Sequence, residues 1–159
     1  MDDGSIVIKS VHIDNRAGAF YVQSSDCTPG GLLYQGTWIK KMAEDLPDAD
    51  LGRAVREAMA ASRAEPWPGG PALRDEVARR RKDLFRVAGV RSERQYQTGL
   101  SAVRIDDDPG ANQYQLTKFI NYHPNEAMVA SETEHLIPVA SPDNVLGSTI
   151  RGLLLDESG

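Results

Sequence analysis

The apolar positions of SIVIKSVHI, Ser5 to Ile13, are all β-branched, which predicts a strand. DNRAG follows with the Asp, Asn and Gly of a turn. AFYVQSS then predicts a second strand, so residues 5–25 read as a hairpin. CTPGG reads as a loop, and LLYQGTWIKKM as a third strand with Gly36 as a candidate bulge. From Pro47 the period changes. Leu51, Val55 and Met59 recur every four residues, widened by Ala54 and Ala58, which predicts an amphipathic helix. Pro47 suits its first turn, and Asp48 and Asp50 suit the positive end of its dipole. EPWPGGP at 65–71 ends it.

PALRDEVARRRKDLFRVAG predicts a second helix, with Pro71 at its start and Gly89 as its C-cap. Leu73, Val77 and Leu84 share one face, and most of the arginines lie off it. RQYQTGLSAVRI then predicts a strand, DDDPG a turn, NQYQLTKFINY a strand, HPNE a turn, and EHLIPVA a short strand. A last helix opens with Ser141 as cap and Pro142 in first position, and turns Leu146, Ile150, Leu153 and Leu154 inward.

Two phrases occur twice. PDADLGRAVREAM at 47–59 matches PDNVLGSTIRGLL at 142–154 in Pro, Asp, Leu, Gly and Arg, 95 residues apart. VHIDNRAGAFYVQ at 11–23 matches VRIDDDPGANQYQ at 103–115, 92 residues apart. Hairpin then helix is followed by hairpin then helix. The ordered pair favours an internal duplication over a shared vocabulary of turns and caps. The expected fold class is therefore α+β: one domain over 1–159, of two β-β-(β)-α half-repeats at about 5–63 and 95–158. A helical segment at 71–88 joins them, and the sheet is mostly antiparallel. Glycines 52 and 147, each early in a helix, suggest close approach of helix to sheet, since glycine there costs about 1 kcal/mol against alanine.

Composition narrows the class. At 40% hydrophobic and 26% charged, the 159 residues describe an ordinary globular chain. The acidic MDDGS start argues against a leader peptide, and no apolar run approaches the roughly 20 residues of a membrane helix. A lone cysteine, Cys27, excludes an internal disulfide, so a cytoplasmic setting without membrane contact is expected. Charge is uneven. Residues 74–94 hold 8 basic and 4 acidic groups, whereas residues 95–159 hold 3 basic and 9 acidic. Acidic surface of this kind attracts cationic partners and speeds association. A plain solubility charge is the competing reading.

No enzyme signature stands out. His12, His123 and His135 lack zinc-helix spacing, Cys27 has no cysteine neighbour, and no phosphate loop or nucleophile elbow is present. No cofactor, metal or catalytic residue is expected. His12, alternating within a strand, reads as packed or surface. The cluster Asp106–Asp108 reads as a solvated hairpin tip or as a docking point for a basic partner. Arg79, Arg80, Arg81 and Lys82 could touch phosphate, but Glu76–Arg80 and Arg79–Asp83 pairs at i, i+4 favour an ion-paired helix face. Tyr96, Tyr114, Phe119 and Tyr122 read as half-buried sheet aromatics rather than base-stacking platforms.

One resemblance gives these readings a direction. LGRAVREAMAASR, Leu51 to Arg63, resembles the L-G-x-A-V-x-x-A-[LM]-x-x-S-R segment of the immunity proteins of contact-dependent growth inhibition (CDI) systems. AGVRSERQYQTGLSAVRI, Ala88 to Ile105, is similar to that family's next segment, a G-V-[KR]-S turn leading into a strand with an aromatic near its start, here Tyr96. LGSTIRGLL resembles its closing helix, while residues 108–140 match poorly. The resemblance implies a non-enzymatic cytoplasmic protein that binds the C-terminal toxin domain delivered by a neighbouring cell. That partner is expected to be a basic nuclease, often one acting on tRNA, whose active site is occluded. Carboxylates outside the two repeat helices, chiefly Asp106, Asp107, Asp108, Glu132 and Glu134, are the expected contacts. Two other classes stay open: a single-stranded nucleic-acid-binding domain using the basic 74–94 segment and the sheet aromatics, and a hydrolase resting on Asp106 and Glu132.

Overall fold

A computed structural model describes residues 8–28, 33–64, 70–108, 110–120 and 129–155, with the side chains of 108, 120 and 129–134 left out. Strands β1 (Lys9–Arg16), β2 (Ala19–Cys27) and β3 (Leu33–Ala43) lead into helix α1 (Asp48–Ala61). Helices α2 (Pro71–Ala88) and α3 (Glu93–Gln97) follow. Strands β4 (Ser101–Asp108), β5 (Gln113–Ile120) and β6 (Val129–Pro138) then lead into α4 (Asp143–Leu155). The strands form one antiparallel sheet in the order β3-β2-β1-β4-β5-β6, so the two halves meet at β1–β4.

The doubled sequence appears as a two-fold relation in the pairing register. At the seam Val11 faces Ile105 and Ile13 faces Val103, so β1 and β4 exchange places 92 residues apart. Phe20↔Met42 in the first half answers to Tyr114↔Ile137 in the second, offsets of 94 and 95. The growth from 92 to 94 matches the count of residues between strands, four between Asp108 and Gln113 against Ala17 and Gly18 alone. Residues 112–115 therefore correspond to 18–21, not to 20–23 as the phrase match aligned them. The tight first turn needs positive φ at both positions, and Ala17 (50°) and Gly18 (77°) supply it. The bulge repeats as well. Pairing slips between Gln23 and Ser25 against β3, and between Thr117 and Phe119 against β6. Gly36 lies at the first slip, where a Cβ would sit 2.2 Å from Ser24 Oγ. That irregularity is the one its glycine suggested.

Helices α1 and α4 share one face of the sheet. Their stripes, Leu51, Val55, Ala58 and Met59 with Leu146, Ile150 and Leu154, close over Val11, Ile13, Phe20, Val22, Val103, Ile105, Tyr114 and Leu116. Each such aliphatic side chain removed from water contributes about 1.5–3 kcal/mol, so this cluster is the main source of stability. Pro47 and Pro142 sit just before their helices rather than inside them. Each carbonyl accepts two amides, from Asp50 and Leu51 and from Val145 and Leu146. The paired glycines are a helix–helix device, not a helix–sheet one. A Cβ on Gly52 would lie 2.0 Å from the Asp143 carbonyl oxygen, and one on Gly147 would lie 1.8 Å from that of Asp48. Two reciprocal clamps lock the crossing. Arg56 donates to Asp143 Oδ1 at 2.6 Å and to the Val139 and Ser141 carbonyls. Arg151 donates to Asp48 Oδ1 at 2.6 Å and to the Glu44 and Leu46 carbonyls.

Several sequence expectations are corrected. DNR continues β1, and Asp106–Asp108 complete β4 rather than forming a turn. The first part of RQYQTGLSAVRI is helix α3, capped by Ser92 Oγ accepting from the Gln95 amide, so Tyr96 is helical and not on a strand. The last strand spans ten residues, Val129–Pro138. HPNE and Tyr122 lie outside the described residues.

Candidate functional site

The two-fold relation ends on the second face of the sheet. There α2 and α3 pack over β2 and β3 through Leu84, Phe85 and Tyr96 against Ala19, Tyr21 and Ile39. Among the described residues no helix lies over the matching face of β4, β5 and β6. Strand alternation sends Ser10, His12 and Asp14 to this side, opposite Val11 and Ile13. Cross-strand register then sets Gln23, His12, Arg104 and Thr117 in one row across four strands. Ser25, Ser10, Asp106, Gln115 and Leu136 form the next row. This sheet face is polar, yet Ser10, Asp14, Gln23 and Ser25 are buried because α2 and α3 partly roof it.

A buried carboxylate organises the floor. Asp14, 1% exposed, accepts from Gln23 Nε2 at 2.8 Å and from the Tyr96 hydroxyl, and pairs with His12 Nε2 at 2.7 Å. Burial pushes its carboxyl upward, but the charge and hydrogen bond of His12 and the bonds from Tyr96 and Gln23 outweigh it, leaving it below its ordinary value. The same contact works the other way on Tyr96: burial first, then the Asp14 charge, raises the phenol strongly, so it remains a donor. Beside this cluster Ser10 Oγ donates to Asp106 Oδ1 at 2.7 Å and Arg104 Nε donates to Asp106 Oδ2 at 3.1 Å. The Arg104 guanidinium lies over the Phe119 ring, 5.9 Å from its centroid. Of these groups His12, Gln23, Arg104 and Phe119 line a cleft of about 270 Å³, whose far wall is Tyr34 and Gln35 of β3 and Arg81 of α2.

The basic segment is largely turned to internal use. Arg80, 4% exposed, donates to Asp26 Oδ2 at 2.7 Å and to Glu76 Oε1 at 2.9 Å, and stands 5.3 Å from the Tyr34 ring. It belongs to the buried face with Leu73 and Leu84, contrary to the expectation of a solvated arginine face. Arg79 pairs with Glu76, not with Asp83, which takes Arg86 instead. Hydrogen bonds from Arg79 and Arg80 keep the Glu76 carboxyl below its ordinary range. Arg81 is held by Glu93 and by Gln35 Oε1 at 3.2 Å. Among the described residues the expected aromatics form no exposed platform: Tyr96 and Tyr114 are buried, and Phe119 borders the cleft opposite Tyr34.

Of the expected contact residues, Asp106 is in the cleft-side row with both carboxylate oxygens engaged. Asp107 is half-buried opposite Tyr114, on the α1/α4 side of the ladder, and its charge adds to the burial that raises that phenol. Asp108 ends β4, and Glu134 pairs with Thr117 in the β5–β6 ladder, with Glu132 two residues earlier in β6. The side chains of these three lie outside the described residues. The His12–Asp14 pair, Gln23 and Arg104 were missed by sequence reasoning. The His-Ile-Asp spacing of a strand in HID, Asp14 two places after His12 on one face, is the signal that could have found them. Among the described residues no hydroxyl or thiol bonds to the imidazole of this pair. Nor do any three His, Cys, Asp or Glu side chains among them group to hold a metal ion. No helix of the described chain is long and apolar enough to cross a membrane.

No protein family's sequence profile matches the chain, and no curated protein matches it. Solved structures do. A protein of unknown function from Neisseria meningitidis superposes with a TM-score of 0.76 at 15% identity, covering 98% of both chains. A chain of the CdiA-CT/CdiI toxin and immunity complex from Yersinia pseudotuberculosis superposes with a TM-score of 0.75 at 12% identity. It covers 94% of this chain and 97% of that one. The likeness in fold thus extends over nearly the whole molecule.

Proposed function

We propose that this chain is a cytoplasmic immunity protein that binds the toxin domain of a CDI system and occludes its active site. The observation that carries the reading is the end-to-end likeness in fold to a chain of a toxin and immunity complex. The family-like segments agree with it: LGRAVREAM and LGSTIRGLL are the two crossing helices that fix that fold. Helices shared by both halves build the scaffold, and the half-sheet β4–β6, which has no roof among the described residues, is the surface left for a partner. Residues 101–138 hold 2 basic and 6 acidic side chains, which suits the basic groove of a nuclease that acts on RNA. Asp108 of β4 and Glu132 and Glu134 of β6 provide the attraction, Asp107 adds to the field from the α1/α4 side, and Asp106 anchors the strand end between Ser10 and Arg104. Direct nucleic-acid binding is disfavoured, because the arginines of α2 that would meet phosphate are paired with carboxylates.

The test is coexpression with the toxin domain encoded beside this chain. Growth should be restored, and the two chains should elute together. Continued killing with no complex overturns the proposal. Changing Asp107, Asp108, Glu132 and Glu134 to lysine should slow association most at low salt. An unchanged on-rate there removes these residues from the interface.

A further inference from the structure

The cleft on the roofed edge of the polar face has a composition unlike the surface around it. Among the described residues its lining includes His12, Gln23, Ser25, Arg81 and Arg104 and no carboxylate. The nearest acids with described side chains are turned to other work. Asp14 is saturated by three donors beneath the floor, Glu93 holds Arg81, and Asp106 holds Arg104 by its Nε. Among the described residues the two Nη groups of Arg104 have no hydrogen-bond acceptor, and Nδ1 of His12, whose Nε2 faces Asp14, has no hydrogen-bond partner. These groups stand side by side, because His12 and Arg104 are direct cross-strand partners. Asp14 fixes the imidazole and Phe119 flanks the guanidinium, so both present a set geometry.

We infer that this cleft receives one carboxylate side chain of the bound toxin domain, seated between Arg104 and His12. The inference rests on the immunity reading and names what that partner must carry. Three features select the occupant. A free guanidinium end beside an imidazole matches the two oxygens of a carboxylate. A cleft of about 270 Å³ has room for a side chain, with the Leu33, Tyr34 and Phe119 edges around its methylenes. The acidic β4–β6 half beside the cleft repels a polyanion such as RNA, but it admits a lone acid carried on an otherwise basic surface. The contact is thus two-signed. Acids of β4–β6 draw the toxin in, and the cleft fixes its register, because a partner lacking the acid leaves Arg104 desolvated and unpaired.

The experiment measures association and dissociation of the complete chain with the purified toxin domain, for wild type, Arg104→Ala, Arg104→Lys and His12→Gln. Thermal melts of each free variant identify any that fail to fold. Arg104→Ala should speed dissociation by about 30-fold or more with little change in association, and Arg104→Lys should fall between it and wild type. His12→Gln, which keeps a polar hydrogen-bonding group but not the ring, should lose less. A double-mutant cycle against alanine replacements of the toxin's acidic residues should find one acid whose loss makes Arg104→Ala neutral. Wild-type binding with unchanged dissociation in every folded Arg104 and His12 variant overturns the cleft inference and leaves the immunity reading standing. So does a cycle in which no acid couples. A wild-type chain that does not bind the toxin domain overturns both.

Discussion

Replacing Gly147 by alanine should destabilise the fold, although alanine is the better helix former. The added Cβ would lie 1.8 Å from the carbonyl oxygen of Asp48, 2.7 Å from its carbonyl carbon and 3.1 Å from its Cα. All three are backbone atoms, so no side-chain rotation relieves the overlap. Reaching an ordinary contact of 3.4 Å means that α1 and α4 separate locally by about 1.6 Å, the difference from 1.8 Å. That movement also draws Arg151 from Asp48 and loosens Leu146 and Ile150. Overpacking of this severity costs about 3 kcal/mol, and the helix propensity gained returns about 1 kcal/mol. The net loss of about 2 kcal/mol corresponds to roughly 4–8 °C in Tm for a chain of this length. Gly152→Ala, on an exposed face of the same helix with nothing within 4 Å of the new Cβ, should instead stabilise by about 1 kcal/mol. Urea unfolding followed by circular dichroism measures both. Equal or greater stability for Gly147→Ala would refute the close crossing of the helices.

Other perturbations have defined outcomes. Gly52→Ala should match Gly147→Ala, and the double variant should lose less than the sum, because the first substitution already parts the helices. Arg56→Ala and Arg151→Ala, part-exposed clamps with equivalent partners, should each cost about 1–2 kcal/mol in urea midpoints; a large difference between them would contradict their equivalence. Arg80→Ala should cost about 3–5 kcal/mol by the same assay, since it leaves Asp26 buried without its cation; a loss below 1 kcal/mol would contradict that pairing. Asp14 is held below its ordinary value of 3.8, so its ionised form favours the folded chain. That contribution is complete above the unfolded value and disappears as pH falls through the lower folded one. Wild type should therefore lose stability below about pH 4 more steeply than Asp14→Asn, and parallel pH curves would contradict the assignment.

How much of this was legible in the sequence follows from what each residue does locally. The Pro-Asp starts and four-residue stripes of α1 and α4 depend on nearest neighbours, and both helices are where the pattern put them. The repeat was legible because two crossing helices impose glycine, arginine and aspartate at equivalent positions twice. What those glycines touch was not legible, since a close approach reads alike whether the neighbour is a sheet or a helix. Asp106–Asp108 looked like a turn because three consecutive aspartates are poor strand formers. Pairing with Lys9 and Ser10 on one side and Gln113–Gln115 on the other overrides that preference. Tyr96 sits among polar residues in sequence, and only the tertiary packing of α3 over Asp14 explains its burial. The cleft was hidden for the same reason. Its groups come from β1, β2, β3, β4, β5 and α2, and sequence spacing reports only the His12–Asp14 step within one strand.

Whether the chain neutralises a toxin by occupying it, as proposed above, is decided by adding the purified chain to the purified toxin domain while RNA cleavage is followed. Cleavage should fall in proportion to added chain and cease near one chain per toxin. Undiminished cleavage in the presence of excess chain would contradict it.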